Sequence, residues 1–263
     1  ACPFRGPSGM KIAAELGLQG IELDFGEYEE GYPLYNPRIQ EAYLESGRKY
    51  GIEFPSMALN ALNAHGMSHG RDSVDGMIAF ETIEKGIETA LAMGIPVLQL
   101  PSFDNGYIHD DKDFYNVCEK LKFACELSEG TDLVIAFENV LDGEKTLEMI
   151  REVNSPRVKV FYDTQNYYLF SGLNPAKVLE DIAGEVAQIH IKDGYNSKIS
   201  SALLGQGDTS FMETAEVIKK TQCTRWLLLE NYYALMPARR VHKDYFEIMK
   251  KDIEIAKSVF EIS

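Results

Sequence analysis

Cysteine is scarce in this chain: four residues, Cys2, Cys118, Cys125 and Cys223, with no C-x-x-C spacing among them. That sparsity excludes a disulfide framework and a thiolate zinc cluster, so the cysteines read as reduced packing residues. Positive charge is also in deficit, with 26 Lys and Arg against 41 Asp and Glu and a formal charge of −15. Phosphate-backbone binding relies on many Lys and Arg contacts, so nucleic acid is not an expected partner. No apolar run approaches the roughly 20 residues that span a bilayer, and Ala1-Cys2-Pro3-Phe4-Arg5 does not read as a signal peptide. The expectation is a cytoplasmic protein with no membrane partner.

Ordinary globular composition remains, 45% hydrophobic and 25% charged, enough to bury a full core. Along the chain, short apolar β-rich runs alternate with longer runs of helical period, the pattern of repeated βα units and a parallel sheet. Strands are expected at residues 20–25, 52–57, 96–100, 133–137, 158–162, 186–189 and 226–229, with a truncated first strand at Cys2-Pro3-Phe4. Helices are expected near residues 8–16, 37–50, 74–93, 113–128, 145–153, 175–183, 211–221 and 241–260. Asn174-Pro175 supplies an N-cap and a first-turn proline, and Gly17, Gly51, Gly94, Gly130 and Gly184 follow helices where left-handed residues are favoured. In the helix at 74–93, Ile78, Ile83, Ile87, Ala90 and Leu91 form a core stripe.

Eight such units in 263 residues fit a single-domain α/β (β/α)₈ TIM barrel spanning residues 1–263. The doubly wound alternative lacks its glycine fingerprint; Gly205-Gln206-Gly207-Asp208 is one short turn.

Four successive strands end on a polar residue: Glu138, Asp163, His190 and Glu230. They are spaced by about one βα repeat, with a longer last interval, and strand alternation puts Val134, Ala136 and Glu138 on one face, as it does Leu228 and Glu230. In a barrel such residues converge at the carboxyl ends of the strands, where active sites lie. Three acids and one imidazole repel unless a cation neutralises them, so one divalent metal is expected. The oxygen-rich set suits Mn²⁺ first, with Mg²⁺, Co²⁺ and Zn²⁺ as alternatives.

Phe137-Glu138-Asn139, Tyr162-Asp163-Thr164-Gln165-Asn166, Ile189-His190-Ile191-Lys192-Asp193, Leu204-Gly205-Gln206-Gly207-Asp208 and Leu229-Glu230-Asn231 resemble the ordered motifs of the sugar phosphate isomerase/epimerase superfamily, with its xylose-isomerase-like barrel. The resemblance covers nearly the whole chain. It implies that Glu138, Asp163, His190 and Glu230 are metal ligands and that Glu138 and Glu230 are also the catalytic base and acid. The activity implied is isomerisation or epimerisation of a sugar or sugar phosphate by proton transfer beside its carbonyl, through an enediolate.

Glu144 stands where ketose 3-epimerases place a carboxylate near substrate hydroxyls. Asn166 and Lys192 are expected to face the substrate, as is His65 or its neighbour His69 from the loop after the third strand. The chain carries Asn166 and Asn196 where free-ketose 3-epimerases carry His and Arg. Its Asp-x-x-Asn form is closer to the group that includes hexulose-phosphate and pentulose-phosphate epimerases and inosose enzymes.

The alternative reading is a metal-dependent dehydratase of an inosose or a dehydroshikimate-like acid, which shares the first proton abstraction. An endonuclease-IV-like enzyme needs more histidines than five and a basic groove, and a sugar-binding barrel without turnover has no need of an intact acid and base. The expected partner is a small sugar or polyol, with Tyr167, Tyr168, Phe170, Tyr232 and Tyr233 covering the pocket or a homo-oligomer interface.

Overall fold

The computed structural model describes residues 6–240 and 244–262. The stub expected at Cys2-Pro3-Phe4 and the start of the last helix at Val241 lie outside these residues. The chain forms two compact units. Among the described residues, one comprises residues 6–139 and 147–161, the other residues 140–146, 162–240 and 244–262.

The first unit contains α1 (Gly9–Glu15), β1 (Leu23–Asp24), α2 (Pro37–Tyr50), β2 (Met57–Ala58), α3 (Ala61–Ala64), α4 (Val74–Met93), β3 (Val97–Pro101), α5 (Asp111–Leu127) and β4 (Val134–Glu138). Two elements run from one unit into the other, α6 (Gly143–Val153) and β5 (Val158–Asp163). The second unit continues with α7 (Asn166–Ser171), α8 (Pro175–Ile182), β6 (Val186–Ile191), α9 (Phe211–Thr221), β7 (Leu227–Leu229) and α10 (Tyr245–Phe260).

The strands pair in chain order, β1 to β7, and the registered pairs are parallel. A doubly wound sheet reverses its order at a switch point; none occurs among these strands. Parallel strands covered by helices are apolar on both faces, and β3 is buried along its whole length. Pairing of β3 with β4 runs in register from Val97↔Val134 to Pro101↔Glu138, which carries Glu138 to the carboxyl edge of the sheet.

Helix limits follow local chemistry. Asn36 accepts from the Arg38 amide and Ser73 from that of Gly76, capping α2 and α4, and left-handed Gly51 and Gly94 end them. Gly184 does not take the left-handed conformation expected of it: the chain leaves α8 through a 3-10 turn at Ala183–Glu185, whose geometry any residue adopts. Leu91 is a second correction. Ile78, Ile83, Ile87 and Ala90 are buried as the stripe requires, but Leu91 is exposed, because it sits one position round from Ala90, past the edge of the buried face.

Cys118 is buried, Cys125 and Cys223 are half-buried, and all three are free thiols; Cys2 lies outside the described residues. Among the described residues no helix is long and apolar enough to cross a membrane.

Candidate functional site

Three of the four rim residues meet in the second unit. Asp163 is the last residue of β5, His190 the penultimate residue of β6, and Glu230 follows β7 directly. The backbone fixes their heights: the Thr164 amide donates to the His190 carbonyl at 3.1 Å and the Glu230 amide to the Ile191 carbonyl at 3.1 Å. Thr164 adds a reciprocal clamp, its hydroxyl donating to the Lys192 carbonyl at 2.7 Å and accepting from the Lys192 amide at 2.9 Å.

Asp163 is fully buried. Its Oδ1 accepts from the backbone amides of Gln165 and Asn166, both at 2.7 Å, where α7 begins. That turn orients the carboxylate and leaves Oδ2 for the cluster. His190 Nδ1 lies 4.0 Å from Asp163 Oδ2 and 3.3 Å from Glu230 Oε2. Two donors each about 2.1 Å from one small divalent cation are at most about 4.2 Å apart, so each of these two spacings, taken as a pair, and the oxygen-nitrogen donor types fit a Mn²⁺- or Mg²⁺-sized ion.

Lys192 has a more defined place than the expected substrate contact. Its buried ammonium lies 3.0 Å from Asp163 Oδ2 and 2.5 Å from Glu230 Oε2, bridging the two acids. Burial pushes both carboxyls up. At Glu230 the charges of His190 and Lys192 outweigh burial and hold the pKa at about 2. At Asp163 burial and the Glu230 charge prevail over Lys192 and His190, and the pKa is raised.

Glu138 belongs to the first unit. It is buried at the end of β4 and accepts a hydrogen bond from Gln99 Nε2 on β3. Asn166 is buried at the start of α7, and Glu144 is exposed in the first turn of α6, the position that helix electrostatics favours for an acid.

His65 is held on both sides within the first unit: Nδ1 lies 2.8 Å from Asp75 and Nε2 3.0 Å from Glu29, leaving neither ring nitrogen for a sugar in this arrangement. His69 lies 3.8 Å from Asp75. Burial pulls the His65 imidazole down, but Asp75 and Glu29 outweigh it and raise its pKa above 6.5. A raised histidine stabilises the fold fully below its unfolded pKa of about 6.5 and loses that contribution as pH rises through the folded value. Urea unfolding should therefore show wild type exceeding His65→Ala by more at about pH 5.5 than at about pH 8.5; a gap that does not change with pH refutes an ionic clamp.

Sequence reasoning missed two buried carboxylates that hold the loops around the cluster. Asp193 accepts from the Gly194 and Gly207 amides and the Thr209 hydroxyl at 2.6 to 2.9 Å. A Cβ at Gly207 would meet Asp193 Oδ1 at 2.1 Å and the Gly194 carbonyl at 2.2 Å, so the turn requires glycine. On α10, Asp252 accepts from the Leu204 amide at 2.8 Å, Asn231 Nδ2 at 2.6 Å and the Tyr233 hydroxyl at 2.9 Å. Its signal was an acid inside the apolar face formed by Ile248, Met249, Ile253 and Ala256. Replacing Asp252 with Ala removes the shared acceptor of three buried donors and should cost about 3 kcal/mol in urea unfolding; a loss under about 1 kcal/mol would show that the network does not hold the loop.

Two of the expected covering aromatics are core residues instead. Tyr167 is buried and stacks on Tyr162 with ring centroids 5.2 Å apart, and Tyr233 is buried against Asp252. Apolar area outweighs their single hydroxyls.

Residues 10–252 match the model of the xylose isomerase-like TIM barrel. The chain belongs to this family. It is a (β/α)₈ protein and an enzyme of the isomerase class. A 2-epi-5-epi-valiolone 7-phosphate 2-epimerase from Actinoplanes sp. is 31% identical over 230 residues, covering 87% of this chain and 83% of that protein. A putative L-ribulose-5-phosphate 3-epimerase from Haemophilus influenzae is 24% identical, covering 84% and 82%. Solved structures share the fold: a D-psicose 3-epimerase determined in the presence of D-fructose superposes with a TM-score of 0.76 at 13% identity, covering 98% of this chain and 94% of that one. A xylose isomerase domain protein from Planctomyces limnophilus gives 0.75 at 14% identity, covering 95% and 90%.

Proposed function

We propose that this family member is a divalent-metal-dependent epimerase of a ketose or ketose phosphate, with one functional domain spanning residues 1–263 and working in the cytoplasm. The observation that carries the reading is that the Asp163 and Glu230 carboxylates each lie within 4.0 Å of His190 Nδ1, pairwise spacings that one small cation can span. Epimerase relatives at 31% and 24% identity support the reaction class.

In this reading Glu138, at the end of the strand preceding β5, completes a ligand set with Asp163, His190 and Glu230, and Mn²⁺ is the expected ion. A bound divalent cation supplies Lewis-acid stabilisation of the negative charge that develops on the substrate oxygens. Glu138 and Glu230 are the proton carriers. One carboxylate takes the proton from the carbon beside the carbonyl, leaving an enediolate, and the other, protonated, delivers its own proton to the opposite face of that carbon. The product is the epimer and the two carboxyls have exchanged protonation states.

Lys192 holds the Asp163 and Glu230 carboxylates in place and supplies positive charge beside the developing oxyanion. The Gln99 amide orients Glu138. Asn166 and Glu144 remain proposed contacts for substrate hydroxyls; His65 joins them only if it leaves its two carboxylates.

The test is proton NMR in D₂O of the Mn²⁺-supplemented protein with a panel of ketoses, ketose phosphates and inososes. The expected result is loss of one substrate signal beside the carbonyl together with growth of the epimer. Elimination to an enone absorbing in the ultraviolet would assign the dehydratase reaction instead, and turnover without exchange at that carbon in either direction would defeat the enediolate.

A further inference from the structure

The loops that follow β6 and β7 line an open surface pocket of about 450 Å³. Lys198 and Arg240 line it, with Ser201, Ile199, Leu235 and Met236. Both cations are exposed to solvent, and neither forms an ion pair among the described residues. In a chain of net charge −15, two cations left for one cavity form a local positive site.

The cavity wall is tied to the proposed metal ligands. Gln165, two residues after Asp163, donates from Nε2 to the Lys198 carbonyl at 3.0 Å and accepts at Oε1 from the Ser200 amide at 2.9 Å. The Ser200 hydroxyl reaches the Glu230 carbonyl at 3.5 Å. Asn196, Ser197 and Ser200 are all held in the left-handed region, a conformation that costs a non-glycine residue about 1 kcal/mol or more and persists only where its surroundings fix it. Lys198 is therefore carried on a braced loop, joined through one side chain to the turn that orients Asp163.

We propose that this cavity binds the phosphate group of the substrate, so that the reaction at the neighbouring carboxylate cluster acts on a ketose phosphate rather than a free ketose. The proposal rests on the epimerase reading for its substrate, but the phosphate site itself stands on the cavity. A phosphate dianion approaching Asp163 and Glu230 is repelled by them and needs cations of its own at a distance from the reacting carbon. Lys198 and Arg240 provide them, Arg in a fork that matches phosphate oxygens, while Ile199 and Met236 provide apolar contact for the carbon chain.

Two measurements on the Mg²⁺-loaded protein test this. Calorimetric titration with glycerol 3-phosphate should show binding, with glycerol as the control, and Lys198→Met/Arg240→Met should weaken it by about 30-fold or more. In turnover, the double variant should lower the ratio of kcat/KM for a pentulose 5-phosphate to that for the free pentulose by about 100-fold, and glycerol 3-phosphate should compete with the phosphorylated substrate. Equal glycerol 3-phosphate affinity in wild type and variant overturns the site. Binding there without competition makes it an effector site and overturns the substrate claim, as does a wild-type preference for the free ketose. If wild type turns over neither sugar, the epimerase reading fails, while the titration still decides whether Lys198 and Arg240 hold a phosphate.

Discussion

Glu230→Gln should lower kcat by about 10³-fold or more, with the folded state retained. The carboxylate lies 2.5 Å from the Lys192 ammonium and 3.3 Å from His190, and these charges keep it ionised down to a pKa of about 2. An amide of the same shape preserves packing but carries no charge, cannot take up a proton at neutral pH and turns one donor group toward Lys192. On the proposed mechanism three functions are lost together: a metal ligand, a proton carrier and the counter-charge that orients Lys192. Glu138→Gln should show a loss of similar size, because on the same mechanism it removes the partner on the opposite face and it places an amide against Gln99. The two changes should be strongly non-additive, since a proton relay missing either end is already broken. The measurement is single-turnover exchange at the carbon beside the carbonyl, with circular dichroism melting to confirm folding. A Glu230→Gln enzyme within tenfold of wild type would remove Glu230 from the chemistry.

The positions that make this prediction were legible because two independent patterns coincide in β4 to β7. Each strand is largely apolar, interrupted by Lys159 in β5 and Gln188 in β6, and each carries one of the four polar residues at or next to its carboxyl end. Helix ends such as Asn174, Gly51 and Gly94 were equally readable, since capping depends on a few adjacent residues. The strands at 20–25 and 52–57 shrink to two-residue β1 and β2 with isolated bridges at Gly20 and Glu53; alternation in sequence says nothing about where pairing becomes irregular. The short helices α3 and α7 are single turns or little more, too brief for periodicity to show.

Side-chain engagement was the least legible level. His65 looked free to meet substrate, yet its partners Glu29 and Asp75 are brought to it by separate segments. Lys192 was assigned to the pocket from strand alternation, but only the parallel register of β6 with β7 reveals that it bridges to Glu230. Asp193 and Asp252 act through contacts with distant backbone amides, which composition and spacing do not encode. These ties, like the Gln165 brace beneath Lys198, determine how rigidly the loops hold their charges, and hence how well an ion bound at the strand ends can be accommodated.

Chelation should abolish exchange activity by at least about 10³-fold, and stoichiometric Mn²⁺ should restore it. Asp163 is wholly buried with its pKa raised, and burial is the largest cause; its Oδ2 and Glu230 share one ammonium between two negative charges. A divalent ion adds the charge needed to neutralise the remaining excess, so binding it should also stabilise the fold, by about 2.7 kcal/mol at a free concentration 100 times its dissociation constant. The stabilisation has a pH dependence of known sign. Protonation of the carboxylates competes with the ion, so the Mn²⁺-induced rise in Tm should shrink as pH falls into the range where the raised Asp163 carboxyl takes up a proton, before Glu230 does. Asp163→Asn should remove most of the Mn²⁺-induced rise in Tm, while His65→Ala, in the separate clamp with Glu29 and Asp75, should leave it in place. Activity that survives exhaustive chelation, or a Tm that Mn²⁺ raises equally in wild type and Asp163→Asn, would mean that Asp163 does not hold a metal and that Lys192 alone supplies the positive charge of this site.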